Sequence, residues 1–354
     1  MKFPTARGPA SRSLVNLLRG SAENQAEDFS PFLDSVTSGI AQTQSTLADE
    51  DLQLTLFILY ELHYSGLAQA DERWEWNPGL ITARGQLESA FEQELRAAVV
   101  LPELNARTSD AVAEALFAIA AVDTGPSMSR YVAKAATVEQ LQEFLIHKSI
   151  YQLKEADPHT WAIPRLTGRS KAAMVEIQAD EYGGGRPERM HSALFARTMR
   201  GLGLDEDYGG YVDAVPALTL AGTNMMSMFG LNRRLRGAIV GHLAAYEMTS
   251  SQPNRLYGNG FRRHGFKEDV TGYFDEHVEA DAVHEQIAGR DLAGGLFEAE
   301  PALLEDIYFG AAAALALDAM STQRTMDAWE SGTTSLLAPL STAPLHTVKA
   351  PAHD

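Results

Sequence analysis

The sequence predicts an all-α protein, a helical bundle with a helical extension at its N-terminus. Three observations carry that prediction. Apolar residues recur at helical spacing, as in Leu52, Leu56, Leu59, Leu62 and Leu67 and again in Leu141, Leu145, Ile150 and Leu153, the pattern of helices with one face in a core. The Ala-rich stretch from Tyr308 to Met320 is a strong helix former. No run of alternating β-branched residues and no hairpin dipeptide between such runs occurs. At ordinary helix lengths the chain accommodates roughly ten to twelve helices.

Taken in order, residues 1–50 are rich in Ser and Gly with weak periodicity, so a loosely ordered start is expected. Two or three helices follow to about residue 97, separated by a turn at Asn77, Pro78 and Gly79. These make up an N-terminal helical extension, 1–100. A main helical domain spans 101–329, and the Ser-, Thr-, Ala- and Pro-rich residues 330–354 read as a flexible tail.

Composition narrows the chemistry. Among 354 residues there is no cysteine, which excludes disulfides, thiolate nucleophiles, cysteine-held iron–sulfur clusters and thiolate zinc sites. Any metal must be held by His, Asp and Glu, donors suited to iron, manganese or zinc. The formal charge of −18 repels phosphate backbones, so no nucleic-acid partner is expected. The clusters Arg233, Arg234, Arg236 and Arg262, Arg263 read as solvated helix faces. No apolar run is long enough to span a bilayer, and the N-terminus lacks the apolar core of a secretory signal. A cytoplasmic location with no membrane contact is the expectation.

Four segments concentrate chemistry-bearing residues. In YFDEHVEADAVHEQIAGRDL, His277, Asp281 and His284 stand at i, i+4 and i+7, within roughly 60° of one another on one helix face. Two imidazoles and a carboxylate on one stripe form half a metal site. Glu276, Glu279 and Glu285 share that helix, so a solvated polar face fits the spacing equally well. In VEIQADEYGGGRPERMHSALFARTM, Glu181 ends one helical pattern, three glycines interrupt it, and His191 lies on the next helix. A tight inter-helix connection accounts for the glycines as well.

In GAIVGHLAAYEMTSSQPNRL, Glu247 is the only acid of an apolar helix, where an unpaired carboxylate is costly. A solvated helix end near Ser250, Ser251 and Pro253 is the competing reading. In LIHKSIYQLKEADPHTWAIPRL, Glu155 falls near the end of a helix stopped by Pro158. His147, His159 and His242 read as structural, and Glu61 and His63, two apart, cannot face one way on a helix. No phosphate-binding glycine loop and no nucleophile elbow is present.

Together these segments resemble the haem-oxygenase-like di-iron oxidase family, whose members keep the haem-oxygenase helical fold without haem and hold two irons between helices. The resemblance covers about residues 101–329. It implies a core metal-ligand set of Glu181, His191, Glu247, His277, Asp281 and His284, all present in order. Glu155, 26 residues before Glu181, matches the additional glutamate of the N-oxygenase subset, which oxidises amine or guanidine nitrogens. Members that break carbon–carbon bonds typically lack that carboxylate. The helices before residue 100 resemble the extension on which nitrosourea-forming N-oxygenases dimerise, so a homodimer is implied. Those enzymes also carry a C-terminal cupin domain. The chain ends before any, so a complete rearrangement to a nitroso product is not implied.

The resemblance therefore implies two Fe ions as cofactor, O2 as co-substrate, a small-molecule substrate, and an external electron donor or reductase partner. Four carboxylates and three imidazoles would balance two ferrous ions, which matters in a helical interior. Asp180 or Glu176 could orient a ligand histidine from behind. Three alternatives stay open: an oxidative lyase or desaturase acting on an acyl or amino-acid chain, a non-catalytic iron-binding protein, and a cofactorless oxidase of the quinone-biosynthesis type. The same ligands also accept manganese.

Overall fold

A computed structural model describes residues 1–22, 29–122 and 125–339, and for residues 279–282 the backbone alone. Among the described residues every regular element is helical. The N-terminal elements are α1 (Pro9–Leu18), α2 (Ser30–Gln42), α3 (Glu50–Glu61), a 3₁₀ turn (Glu72–Trp76) and α4 (Pro78–Ala98). Then come α5 (Ser109–Ala120), α6 (Met128–Lys134), α7 (Val138–Gln152), α8 (Asp157–Thr160), α9 (Gly168–Glu181) and α10 (His191–Gly201). The chain continues with α11 (Ala217–Leu231), α12 (Arg236–Arg263), α13 (Glu268–Gln286), a π-helical stretch (Ile287–Ala293), α14 (Gly294–Ala299) and α15 (Leu304–Glu330). The all-α prediction holds. Segments of four to seven residues such as α8, α14 and α6 are too short to show helical periodicity and raise the helix number above the ten to twelve expected.

Local chemistry sets the boundaries. Asp49 accepts from the backbone N–H groups of Asp51 and Leu52 at the start of α3, and Asn77 does the same for Gly79 and Leu80 at the start of α4. Thr137 and Gln140 form a reciprocal capping box on α7. The two longest helices, α12 and α15, cross in close backbone contact. A Cβ on Gly241 would overlap the carbonyl of Ile307, and one on Gly310 would overlap that of Ala238, so glycine permits the approach.

Two local readings are corrected, the loosely ordered start and the competing placement of Glu247 at a solvated helix end. Residues 1–50 are not loosely ordered across the described part: α1 and α2 bury Leu14, Leu18, Phe32 and Val36. The carboxylate of Asp51 accepts from the backbone N–H of Ala10 and of Ser11 at 2.8 Å each, a cap from a residue 40 positions away that local periodicity cannot reveal. Second, α12 does not end near Pro253 but runs through it to Arg263. The arginine clusters keep the solvated face expected of them, Arg233, Arg234, Arg262 and Arg263 all being exposed, and three of their members also carry ion pairs. Arg234 meets Glu92 at 2.5 Å, Arg236 bonds Glu300, and Arg262 meets Asp275 at 2.5 Å.

The N-terminal helices pack onto the rest of the chain. Asn224 of α11 donates to the backbone and side-chain oxygens of Gln53 on α3, at 2.9 and 2.8 Å. Residues 331–339 turn back along the bundle, where the Ser335 backbone N–H donates to Glu143 at 2.8 Å and Leu336 is buried. Residues 340–354 of the expected tail lie outside the described residues. Among the described residues no helix is long and apolar enough to cross a membrane.

Candidate metal centre

Helices α9, α10, α12 and α13 and the turn after α7 converge on one buried polar cluster. Glu181 is the last residue of α9 and His191 the first of α10. Between them Gly183, Gly184 and Gly185 all adopt left-handed backbone, with φ of 66°, 60° and 78°, conformations that favour glycine. At Gly183 glycine is needed twice over, because a Cβ would sit 2.6 Å from the carbonyl carbon of Arg189. This reversal carries His191 back over Glu181, leaving His191 Nδ1 3.0 Å from Glu181 Oε2.

On α13, His277 and His284 face inward and are buried. His277 Nδ1 lies 2.8 Å from the Tyr273 carbonyl, which accepts its proton and leaves Nε2 facing Glu155 Oε1 at 3.7 Å. Ring centroids of His191 and His277 are 4.4 Å apart. Glu155, His191 and His277 each offer a donor atom, all within 4.8 Å of one another, a spacing that can hold a metal ion. His284 Nδ1 lies 3.5 Å from Glu247 Oε2, and its Nε2 lies 2.9 Å from Asp180 Oδ2.

Glu247 is buried on α12, not a solvated helix end. Pro253, nearly two turns beyond, removes a helix hydrogen bond near the cluster. The wide π-helical turn begins three residues after His284; such turns are frequent near functional sites.

The electrostatics favour a cation here. Burial pushes the Glu181 carboxyl up, yet the charges of His191, His277 and His284 outweigh it and hold the carboxyl below its usual range. Burial lowers the His284 imidazolium, and the carboxylates of Glu247 and Asp180 override it to raise the group to about 9. His191 is raised in the same way by Glu181. The buried nitrogens His191 Nδ1 and His284 Nδ1 make no aligned hydrogen bond despite the nearby carboxylates. Buried nitrogens crowded by carboxylates but not in aligned bonds to them suit a metal ion that would take the place of their protons, so the donor set fits a metal.

Of the seven residues proposed from the sequence, Glu155, Glu181, His191, Glu247, His277 and His284 are brought together; the side chain of Asp281 lies outside the described residues. His147 is structural, bridging Thr219 and Ser335. His159 and His242 are buried and bonded to each other at 3.1 Å, and His159 also borders the cavity described below.

Tyr273 escaped the sequence reading. Its hydroxyl lies 2.9 Å from both oxygens of Glu155. Its position four residues before His277 puts it on the same stripe, and that was the available signal. A cavity of about 320 Å³ opens onto the cluster, lined by Glu155, Glu181, Glu247, His277, Tyr151 and Asp318 among others.

A buried cluster of imidazoles and carboxylates between helices defines a metal-dependent helical protein. Comparison with known proteins specifies the kind. The model of the iron-containing redox enzyme family matches residues 142–319, half of the chain, and the chain belongs to that family. It is an oxidoreductase that works with iron. It is similar to nitrosourea synthase from Streptomyces achromogenes subsp. streptozoticus, with 26% identity over 195 residues. That match covers 55% of this chain and 41% of the relative, so the chain spans well under two thirds of the relative's length.

Proposed function

We propose that this chain is a non-haem di-iron oxygenase that transfers one atom of O2 to the nitrogen of an amine or guanidine group in a small molecule. The observation that carries the reading is the inward placement of Glu155, a carboxylate added to the Glu181, His191 and His277 set. Two groupings of donors support two metal positions. Glu155, His191 and His277 form one, Glu247 and His284 the other, and Glu181 is in electrostatic reach of histidines in both. Asp281 is proposed as a further donor to the second position. When bound, a pair of ferrous ions supplies electrons for dioxygen reduction.

The protein's own residues shape the rest. The cavity carries the carboxylates of Glu155, Glu181, Glu247 and Asp318 against one lysine, Lys148, which lies 3.6 Å from Asp318. With the three glutamates neutralised by two ferrous ions and Asp318 by Lys148, the described lining offers an acyl carboxylate no unpaired cation, which favours an amine or guanidine nitrogen over an acyl chain. Tyr151, Tyr246 and Tyr257 supply a partly apolar wall with hydroxyls able to orient a polar substrate. Overall, one oxygen atom is inserted into an N–H bond and the other leaves as water, with two electrons and two protons from an external donor.

The test is to load the protein anaerobically with Fe(II), add O2 and reductant, and offer matched panels of amines, guanidines and acyl chains. A product heavier by one oxygen, with the label from ¹⁸O2 on nitrogen, is expected from the first two panels. Desaturated or chain-shortened products from the acyl panel alone would replace this reading with the lyase one.

A further inference from the structure

We infer that Lys154, latched to Glu61 of α3, is a positioning residue that fixes the turn presenting Glu155 to the metal centre. The inference rests on the reading of Glu155 as a metal donor. Glu61 is fully buried and Lys154 nearly so. Lys154 Nζ lies 2.5 Å from Glu61 Oε1, and the Tyr208 hydroxyl donates to that same oxygen at 2.8 Å. The ammonium also sits 4.0 Å from the centre of the Tyr64 ring, a cation–π contact. Glu61 Oε2 is buried without a hydrogen bond.

A buried pair left partly unsatisfied contributes little to stability, because desolvating both charges offsets their attraction. Its best-attested use is to fix register, and the residue whose register it fixes is next in sequence to Lys154. After α7 ends, the Lys154 N–H donates to Tyr151 O at 2.8 Å and the Glu155 N–H to Gln152 O at 3.4 Å. Ala156 then adopts a φ of 77°, a left-handed conformation that costs a residue with a Cβ and persists only where its surroundings enforce it. Gln178 Nε2 donates to the Ala156 carbonyl at 2.8 Å, from the helix that ends in Glu181.

Glu155 is thus held from both sides. The ion pair anchors the residue before it, and the α9 amide clamps the residue after it. Glu61 lies outside the family-matched segment 142–319, so the pair links the N-terminal helices to the metal centre.

The experiment compares full-length wild type with Glu61→Leu/Lys154→Met, Tyr208→Phe and Glu155→Ala. It measures iron per chain and Fe(II) affinity by anaerobic titration, and the Tm of the apo-protein. The double apolar variant should match or exceed the wild-type Tm while binding one of two irons at least tenfold more weakly. A merely structural pair would shift Tm and leave iron binding alone. Tyr208→Phe, which keeps the pair but loosens Glu61, should weaken the same position by a few fold and reads the latch if the double variant does not fold. Wild-type affinity for both irons in the folded double variant, or in Tyr208→Phe should that variant alone fold, overturns the positioning role. If Glu155→Ala also keeps both irons, the donor reading of Glu155 has failed. If Glu155→Ala loses one while the latch variants keep two, only the latch has failed.

Discussion

Tyr273 holds two candidate metal donors at once, its hydroxyl 2.9 Å from both oxygens of Glu155 and its backbone carbonyl 2.8 Å from Nδ1 of His277. One residue of α13 therefore orients a carboxylate from a turn and an imidazole from its own helix. Burial, followed by the charge of Glu155, pushes the Tyr273 phenol well above its usual range, so it stays a proton donor. Tyr273→Phe keeps the edge contact with Phe195, at 5.0 Å between ring centres, and loses only the hydroxyl. The variant should fold normally and weaken iron at one position by about 10–100-fold, the usual effect of removing a partner behind a ligand. Anaerobic Fe(II) titration checks it.

The second histidine of α13 is held from outside. Asp180 accepts from His284 Nε2 at 2.9 Å, which fixes the tautomer and turns Nδ1 toward Glu247. The Asp180 side chain is 61% exposed, so the pair adds little to stability, about 0–1 kcal/mol. Asp180→Asn should leave Tm nearly unchanged and lower iron affinity by about tenfold or more. Equal iron affinity in the variant and wild type would remove the orienting role.

Much of this centre was legible because helices impose a period. The stripe of His277 and His284 follows from positions i and i+7, and Glu247 stood out as an acid among apolar neighbours. No period applies to Glu155, which sits in a turn, or links Glu181 to His191 across a glycine reversal. Spacing left the other candidates open too, so the ligand set came from the family resemblance. The partners behind the donors were harder to read: Asp180 was named as an acid that could orient a ligand histidine, but which histidine it meets was not readable, and Lys154 and Tyr273 were not named. Lys154 meets Glu61 across 93 positions and His284 meets Asp180 across 104. Such pairings are decided by how helices dock, not by either local segment. The start of the chain was misread for the same reason, since the cap on α1 comes from Asp51.

The glycine reversal between Glu181 and His191 separates backbone strain from site geometry. Ala at Gly183 meets both a φ of +66° and a contact 2.6 Å from the Arg189 carbonyl carbon. Ala at Gly184 meets a φ of +60° with open space around it. Gly184→Ala should cost about 1–2 kcal/mol and leave iron stoichiometry intact. Gly183→Ala should cost more, about 2–4 kcal/mol when strain and clash combine, and should also displace His191 and reduce iron binding. Chemical denaturation and metal analysis on both variants separate the two effects.

Acid should loosen the packing of residues 331–339 through His147. Its Nδ1 lies 2.8 Å from Thr219 Oγ1 and its Nε2 2.9 Å from Ser335 Oγ, so a neutral ring donates to one hydroxyl and accepts from the other. Burial pushes the imidazolium down to about 4; Glu143 opposes this, and Arg324 and Lys148 add to it. Unfolded, the same side chain titrates near 6.5. The unfolded state therefore binds more protons between about 4 and 6.5, and stability rises with pH across that window. The contribution of His147 is complete above about 6.5 and is lost progressively as pH falls toward 4. His159, also held near 4, and His242, lowered further, act in the same direction, so the wild type should weaken steeply in acid. His147→Gln keeps one donor and one acceptor but cannot titrate. Urea unfolding of the apo-protein from pH 7.5 to 4.5 should show a shallower decline in midpoint for this variant than for wild type, with the two curves converging as pH falls. Parallel curves across the whole range would mean that His147 binds its proton equally well in the folded and unfolded states and that its bridge between α7, α11 and Ser335 does not depend on a neutral ring.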